Sequence, residues 1–266
     1  IMPSLVGSEM CIRDSPIVSH GVFSVGPKYG CTHHLTLNEL GYNSNNGHRE
    51  IVERLENKDI GWAYADQSMF NPKLHNLMSL RKQIIKRPVI TTVEVLVKPV
   101  SSKNDMFFTG FVHKPYPPIY LELSRNAQFN SATVIRGTEG GIIPSLRQTG
   151  KVHFYHGAGE QDDSYDITPE DLGIVQSSRA VDIPEEITRK NTKDKIESKV
   201  DAVDIAKETI KSGISALSGN DGPMLSCIQL GAAIILQRAT GNDLGNCSKE
   251  VLRVLKSGAA LKRMKR

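Results

Sequence analysis

The order of apolar and polar positions divides the chain into an α/β part and a helical end. A short β-branched run at 16–22 leads into a glycine-rich turn at 21–30. Within 32–40 the apolar positions are 35, 37 and 40, and Gly41 follows, which predicts a helix closed by glycine. Ile51, Val52 and Leu55 recur at helical spacing within 45–57, with mixed charges on the other face. The run IGWAYA at 60–65 reads as a buried strand. Asn71-Pro72 supplies an N-cap and a proline at the first helical position. The helix that follows carries Leu74, Leu77, Met78 and Ile85, and Pro88 ends it near Arg87. Segment 91–97 suits either a strand or a second short helix. A strand–helix–strand unit comes next, at 106–112, 117–127 and 131–135, then a glycine-rich loop at 136–141 and strands at 152–155 and 165–167. This β–α–β order predicts a mixed or parallel α/β sheet. After residue 199 the pattern is helical, at 199–217, 223–239 and 249–256, with Pro223 starting the second of these helices.

Composition narrows the class. The chain has 266 residues, 39% hydrophobic and 23% charged, which suits a sizeable core and excludes a disordered or fibrous chain. The apolar run 231–236 is too short to span a bilayer, so no membrane is expected. Cysteines stand at 11, 31, 227 and 247, none in a CxxC pair, so neither a zinc site nor a disulfide scaffold is indicated and a cytoplasmic protein with reduced thiols is expected. The net charge of +4 belongs to one end: residues 252–266 carry six Lys or Arg and no acid, leaving about −2 on the rest. Segment 183–199 (IPEEITRKNTKDKIESK) is charged and lacks aromatic residues, and reads as an exposed connection. Residues 1–15 show neither helical nor strand period and no signal-peptide layout. Their stretch SLVGSEMCIRDS resembles a translated sequencing adapter; a short disordered leader is the other reading. The expected organisation is therefore a leader at 1–15, an α/β domain at 16–182, a charged connection at 183–199 and helices with a basic tail at 200–266.

Several residues could carry chemistry. His113 and Lys114 precede a predicted helix and, beside free helix amides, would make an anion site; the alternative is a rigid proline turn. Arg136, Gly137 and Glu139 lie in the loop after a strand, where α/β folds place ligands, but the loop lacks a dinucleotide pattern. Arg81, Lys82, Lys86 and Arg87 put four positive charges into seven residues, which suits either a nucleic-acid backbone or a solvated face. His33-His34 and the pair His153 and His156 lack companion ligands, so turn or surface positions are expected and metal binding is not. Cys31 has no identifiable base.

Six segments in order resemble one family, the anthranilate phosphoribosyltransferase-like proteins (glycosyl transferase family 3). His20-Gly21 resembles the family's KHGNRA turn, TLNELG at 36–41 its LeaLG helix end, and NPKLHNLMSLRKQIIKR at 71–87 its vRkeLgvR helix. VIRGTEG at 134–140 resembles its vvhGedG loop, ITPEDLGI at 167–174 its itPedlGl, and LSGNDGP at 217–223 its LsGekGp. The resemblance implies a nucleoside phosphorylase/phosphoribosyltransferase-like mixed sheet flanked by helices, with an incomplete helical domain that includes 71–97. It settles segment 91–97 in favour of helix. It implies pentosyl transfer from phosphoribosyl pyrophosphate to a nitrogen acceptor, a possible homodimer, and a phosphorylated small molecule or nucleic acid as partner.

The departures matter as much. The family's GTGGD loop, which cradles the diphosphate and precedes the KHGNRA turn, has no counterpart here, so the chain looks like a C-terminal fragment. The family's acidic magnesium pair falls on Ile142 and Ile143, so no cofactor is expected for this chain. The lysine, asparagine and arginine of the KHGNRA turn are replaced. Arg81 and Arg87 match the family's two motif arginines, the first of which meets the anthranilate carboxylate, so Arg81 is either a ligand contact or a structural arginine. These losses resemble the family's non-catalytic, nucleic-acid-binding branch. If helices are missing, Ile84, Ile85, Val93 and Leu96 should form an exposed apolar patch.

Overall fold

The computed structural model describes residues 15–23, 31–84, 89–138, 141–189 and 201–266. Its strands form two sheets rather than the one sheet expected. In the first, β1 (Ile17–Gly21) runs parallel to β2 (Trp62–Asp66), with Ile17 opposite Trp62 and Gly21 opposite Asp66. Every residue of β2 is buried, the apolar positions 62–65 as their unbroken run requires and Asp66 at the strand end with them. The second sheet has the order β3-β4-β5-β6. Here β3 (Met106–Phe111) is parallel to β4 (Ser131–Arg136), and β5 (Gly150–Tyr155) and β6 (Asp163–Ile167) continue antiparallel. Phe107, Thr109 and Phe111 alternate inward along β3, and Phe107 and Phe111 share a cluster with Tyr120 and Leu121 of α7 (Tyr116–Asn126), which crosses between β3 and β4.

One helical layer joins the sheets. It consists of α9 (Ala202–Leu217), α10 (Pro223–Thr240), α11 (Leu244–Lys256) and α12 (Ala259–Met264). Every residue at 224–236 of α10 is buried, so this helix is enclosed all round. Its core takes Trp62 and Tyr64 from the first sheet and Ile135, Val152 and Phe154 from the second. Ile17 and Phe108 also pack on that core, from strands β1 and β3 at the sheet edges. Both of those strands line one cleft.

On the first-sheet side, α1 (His33–Glu39) and α2 (His48–Glu56) form as expected, and Gly41 stands at φ 87° beyond α1, a turn that glycine adopts without strain. The helix expected at 71–87 is broken. After α3 (Gln67–Phe70), Asn71 caps α4 (Pro72–His75) by accepting from the Leu74 amide at 3.1 Å. The chain then tightens, with the Leu77 amide bonding back three residues to Leu74 at 3.1 Å, before α5 (Met78–Gln83) begins. Segment 91–97 is helical, as α6 (Ile90–Val93) followed by a 3₁₀ turn (Glu94–Leu96). Ile84 and Val93 are exposed, with Leu77, Leu80 and Val89 nearby in sequence. Leu96 corrects the expectation: it is buried in the cluster with Phe107 and Phe129. Ile85 lies outside the described residues.

Part of the charged connection is α8 (Glu185–Arg189); most of the rest, and residues 1–14, lie outside the described residues. Helix α11 starts five residues before the expected 249 because Asp243 caps it, accepting from the Asn246 amide at 2.9 Å. Among the described residues, no helix is long and apolar enough to cross a membrane.

Candidate functional site

The cleft between β1 and β3 has a volume of about 1670 Å³. One wall is built where β1 and β2 end beside the start of α1. The register sets Ser19 opposite Tyr64 and His20 opposite Ala65, and Thr32 caps α1 by accepting from the Leu35 amide at 3.2 Å. Ser19, His20, Cys31, His33 and Thr36 face the cleft. Behind them Tyr64 is fully buried, with the His33 and His34 rings edge-on to it at 5.2 and 5.3 Å. Asp66 is buried at the end of β2; it accepts from the Ser68 amide at 3.0 Å, and its Oδ1 stands 3.9 Å from Nδ1 of His34.

Burial dominates the electrostatics of this wall. It lowers the pKa of His20, against a hydrogen bond with the Val95 backbone that raises it. It drives His33 down to about 3, and the neighbouring His34 adds to the effect. It lowers His34 too, although Asp66 pulls the other way. Burial also raises the Cys31 thiol, outweighing its contact with Thr36. The wall therefore presents neutral imidazoles and a protonated thiol, which can donate and accept hydrogen bonds but not neutralise an anion. Tyr64, with its hydroxyl pushed up by burial, was invisible as a site residue inside the run 60–65 that reads only as a buried strand, and Asp66 lies one residue beyond that run. His34 corrects the expectation of a turn or surface position: it is 3% exposed. The paired histidines were the available signal.

The opposite wall follows β4. Arg136, exposed at the strand end, and Gly137 do not themselves line the cleft, and the loop beyond is tight: a side chain on Gly137 would put its Cβ 1.4 Å from the Gly141 carbonyl oxygen. The Thr138 amide donates to the Ile143 carbonyl at 2.9 Å. Ile143 is 4% exposed in the main core, and Ile142 packs against that core. These are the positions that the family resemblance gives to a magnesium-holding acidic pair. Hydrocarbon side chains offer no oxygen, so the residues present do not fit the ion. Among the described residues, no group of three or more His, Cys, Asp or Glu is arranged to hold a metal ion. Glu139 lies outside the described residues.

The remaining expected residues scatter. Arg81 points at Glu94, with Nη1 2.5 Å from Oε1 and both side chains largely buried, so its charge is held within the fold. Lys86 and Arg87 lie outside the described residues, and the Lys82 side chain is likewise not described. His113 and Lys114 are exposed before α7, but the free amides expected beside them are missing. The Tyr116 amide donates to the His113 carbonyl at 3.1 Å, and the next two residues are prolines, which have no N–H. His20 does line the cleft, whereas Gly21, the last residue of β1, does not; a Cβ there would stand 3.1 Å from the Tyr64 hydroxyl.

No family model matches the chain. A solved anthranilate phosphoribosyltransferase (TrpD) from Thermus thermophilus superposes with a TM-score of 0.69 over 99% of this chain and 71% of its own, at 17% identity. The enzyme from Saccharomyces cerevisiae, solved in complex with PRPP and Mg, gives 0.67 over 98% and 67%, at 15% identity. The chain has the anthranilate phosphoribosyltransferase fold. Among curated proteins, the anthranilate phosphoribosyltransferase of Aquifex aeolicus is 23% identical over 246 residues, 92% of this chain and 64% of that enzyme. An uncharacterised protein of the same organism is 35% identical over 95 residues, 36% of this chain and 30% of that protein. The chain thus spans less than two thirds of the length of these curated relatives. The anthranilate phosphoribosyltransferase fold accounts for the mixed sheet flanked by helices.

Proposed function

We propose that this chain is a member of the anthranilate phosphoribosyltransferase-like family that binds a phosphorylated ligand in the β1–β3 cleft and does not transfer a pentosyl group as it stands. The hydrocarbon side chains at 142 and 143 carry this reading, Ile143 buried in the main core and Ile142 partly buried against it, because they stand where carboxylates would have to hold magnesium against a departing diphosphate. The fold, and the likeness to the Aquifex enzyme over 92% of this chain, support the descent. In the nucleic-acid alternative the stripe rests on Lys82, Lys86 and Arg87, since Arg81 is engaged by Glu94.

The test is turnover of phosphoribosyl pyrophosphate with anthranilate and Mg²⁺, run beside equilibrium binding of phosphoribosyl pyrophosphate to the same chain. Binding without turnover supports the proposal. Turnover that depends on Mg²⁺ overturns the inactive assignment, and failure to bind overturns the ligand assignment.

A further inference from the structure

The wall after β4 carries charge that the fold leaves uncompensated. Arg147 and Arg179 both line the cleft and are exposed. Their segments are tied together: Leu146, fully buried, donates its amide to the Arg179 carbonyl at 2.9 Å. Arg147 also reaches the Ser177 carbonyl, at 3.4 Å from Nη1. Among the described residues neither arginine has a carboxylate partner within ion-pair distance. Lys98, a third cation lining the cleft, behaves differently, for it bonds Asp105 at 3.0 Å and the Gln128 carbonyl at 2.7 Å. Hydroxyls of Thr138, Ser177 and Ser178 line the same region, and Thr138 Oγ1 is buried with no partner among the described residues. The acids that face the cleft besides Asp105 are Glu208, 3.7 Å from Lys211, and Asp182.

We infer that Arg147 and Arg179, with Thr138, form an oxyanion site that takes a phosphate or diphosphate group directly, without a divalent cation. The inference rests on reading the cleft as a phosphorylated-ligand site. Two observations act in the same direction. An acidic pair without its metal would repel an oxyanion, and isoleucines at 142 and 143 remove that repulsion. Two guanidinium groups then supply the positive charge, in a planar fork suited to bidentate contact with phosphate oxygens. The place is consistent with the chemistry, since β4 ends there beside its parallel neighbour β3, the end of a parallel pair where α/β folds bind ligands.

Inorganic pyrophosphate is the probe, titrated calorimetrically into the whole chain in EDTA and again with excess MgCl₂. Binding in EDTA is expected, unchanged or weakened by Mg²⁺. Arg147→Gln and Arg179→Gln should each weaken it about tenfold or more, and Thr138→Val less. Arg→Lys at either position should fall between, because charge remains and the fork is lost. Both arginines are on the surface, and the emission of Trp62 checks that each variant is folded. A requirement for Mg²⁺, or full binding by the double Arg→Gln variant, overturns the site while leaving the broader ligand reading standing. Absence of binding by the unaltered chain to both pyrophosphate and phosphoribosyl pyrophosphate overturns both.

Discussion

Replacing Ile143 by aspartate places an acid where the family resemblance implies one of a magnesium-holding pair, and the structure says what that costs. Ile143 is 4% exposed within the cluster that holds Ile135, Leu146 and Val152. Removing its apolar burial costs about 1.5–3 kcal/mol. A carboxylate placed in that cluster without a partner costs several kcal/mol more. The total, on the order of 5 kcal/mol, is comparable with the whole stability of a marginal domain, about 5–15 kcal/mol. Ile143→Val is the control and should cost about 0.5–1.5 kcal/mol. Urea denaturation followed by the emission of Trp62, the single tryptophan and 1% exposed, measures each. The pH dependence has a definite sign. The introduced carboxyl, buried in the folded state, would have its pKa raised above the unfolded value of about 3.9. Ile143→Asp is therefore least damaging at low pH, and its penalty grows as pH rises from the unfolded pKa to the folded one. A loss below about 1 kcal/mol, or a midpoint raised by Mg²⁺, would show that position 143 faces a metal-competent site and would refute the reasoning.

Arg81→Ala should cost about 2–3 kcal/mol by stranding Glu94 in a largely buried place, with Arg81→Met/Glu94→Leu recovering most of it; unchanged stability would return Arg81 to the candidate ligand contacts. His33, held near 3 when folded and near 6.5 when unfolded, should make stability fall as pH drops across that interval, with His20 and His34 adding to the slope. His33→Gln should flatten the slope of the urea midpoint against pH, and an identical slope in the variant contradicts a neutral imidazole at His33 in the folded state. Gly137→Ala should cost about 1–3 kcal/mol or rearrange the loop, because its Cβ meets the Gly141 carbonyl; a crystal structure with the loop unmoved and no loss in melting temperature would disprove that close approach. Amides at the edges, on β1 and β3, should exchange with deuterium faster than those of fully paired β4, and equal protection would mean that the facing edges are covered.

The local rules were legible in the chain itself. Strand β2 follows from the apolar run at 60–65, α4 from Asn71-Pro72, and the close of α1 from Gly41, because each depends on contacts within a few residues. The crossover β3–α7–β4 was also readable, since its alternation and length admit few topologies. That isoleucines stand at 142 and 143 could be read from the order of residues, and that the family places an acidic pair there is what the resemblance implies. Other features depend on what stands opposite in space. Nothing adjacent to Arg81 announces that Glu94 will take its charge, nor does the sequence around Leu96 place it beside Phe107 and Phe129. The same holds for the site. His34 became a buried neighbour of Tyr64 and Asp66 only when β1, β2 and α1 came together, and Arg147 and Arg179 became a pair only when Leu146 bonded across to Arg179. Propensity and capping act over one turn of chain, whereas burial and charge pairing are set by residues far apart in sequence, and only the folded arrangement decides them.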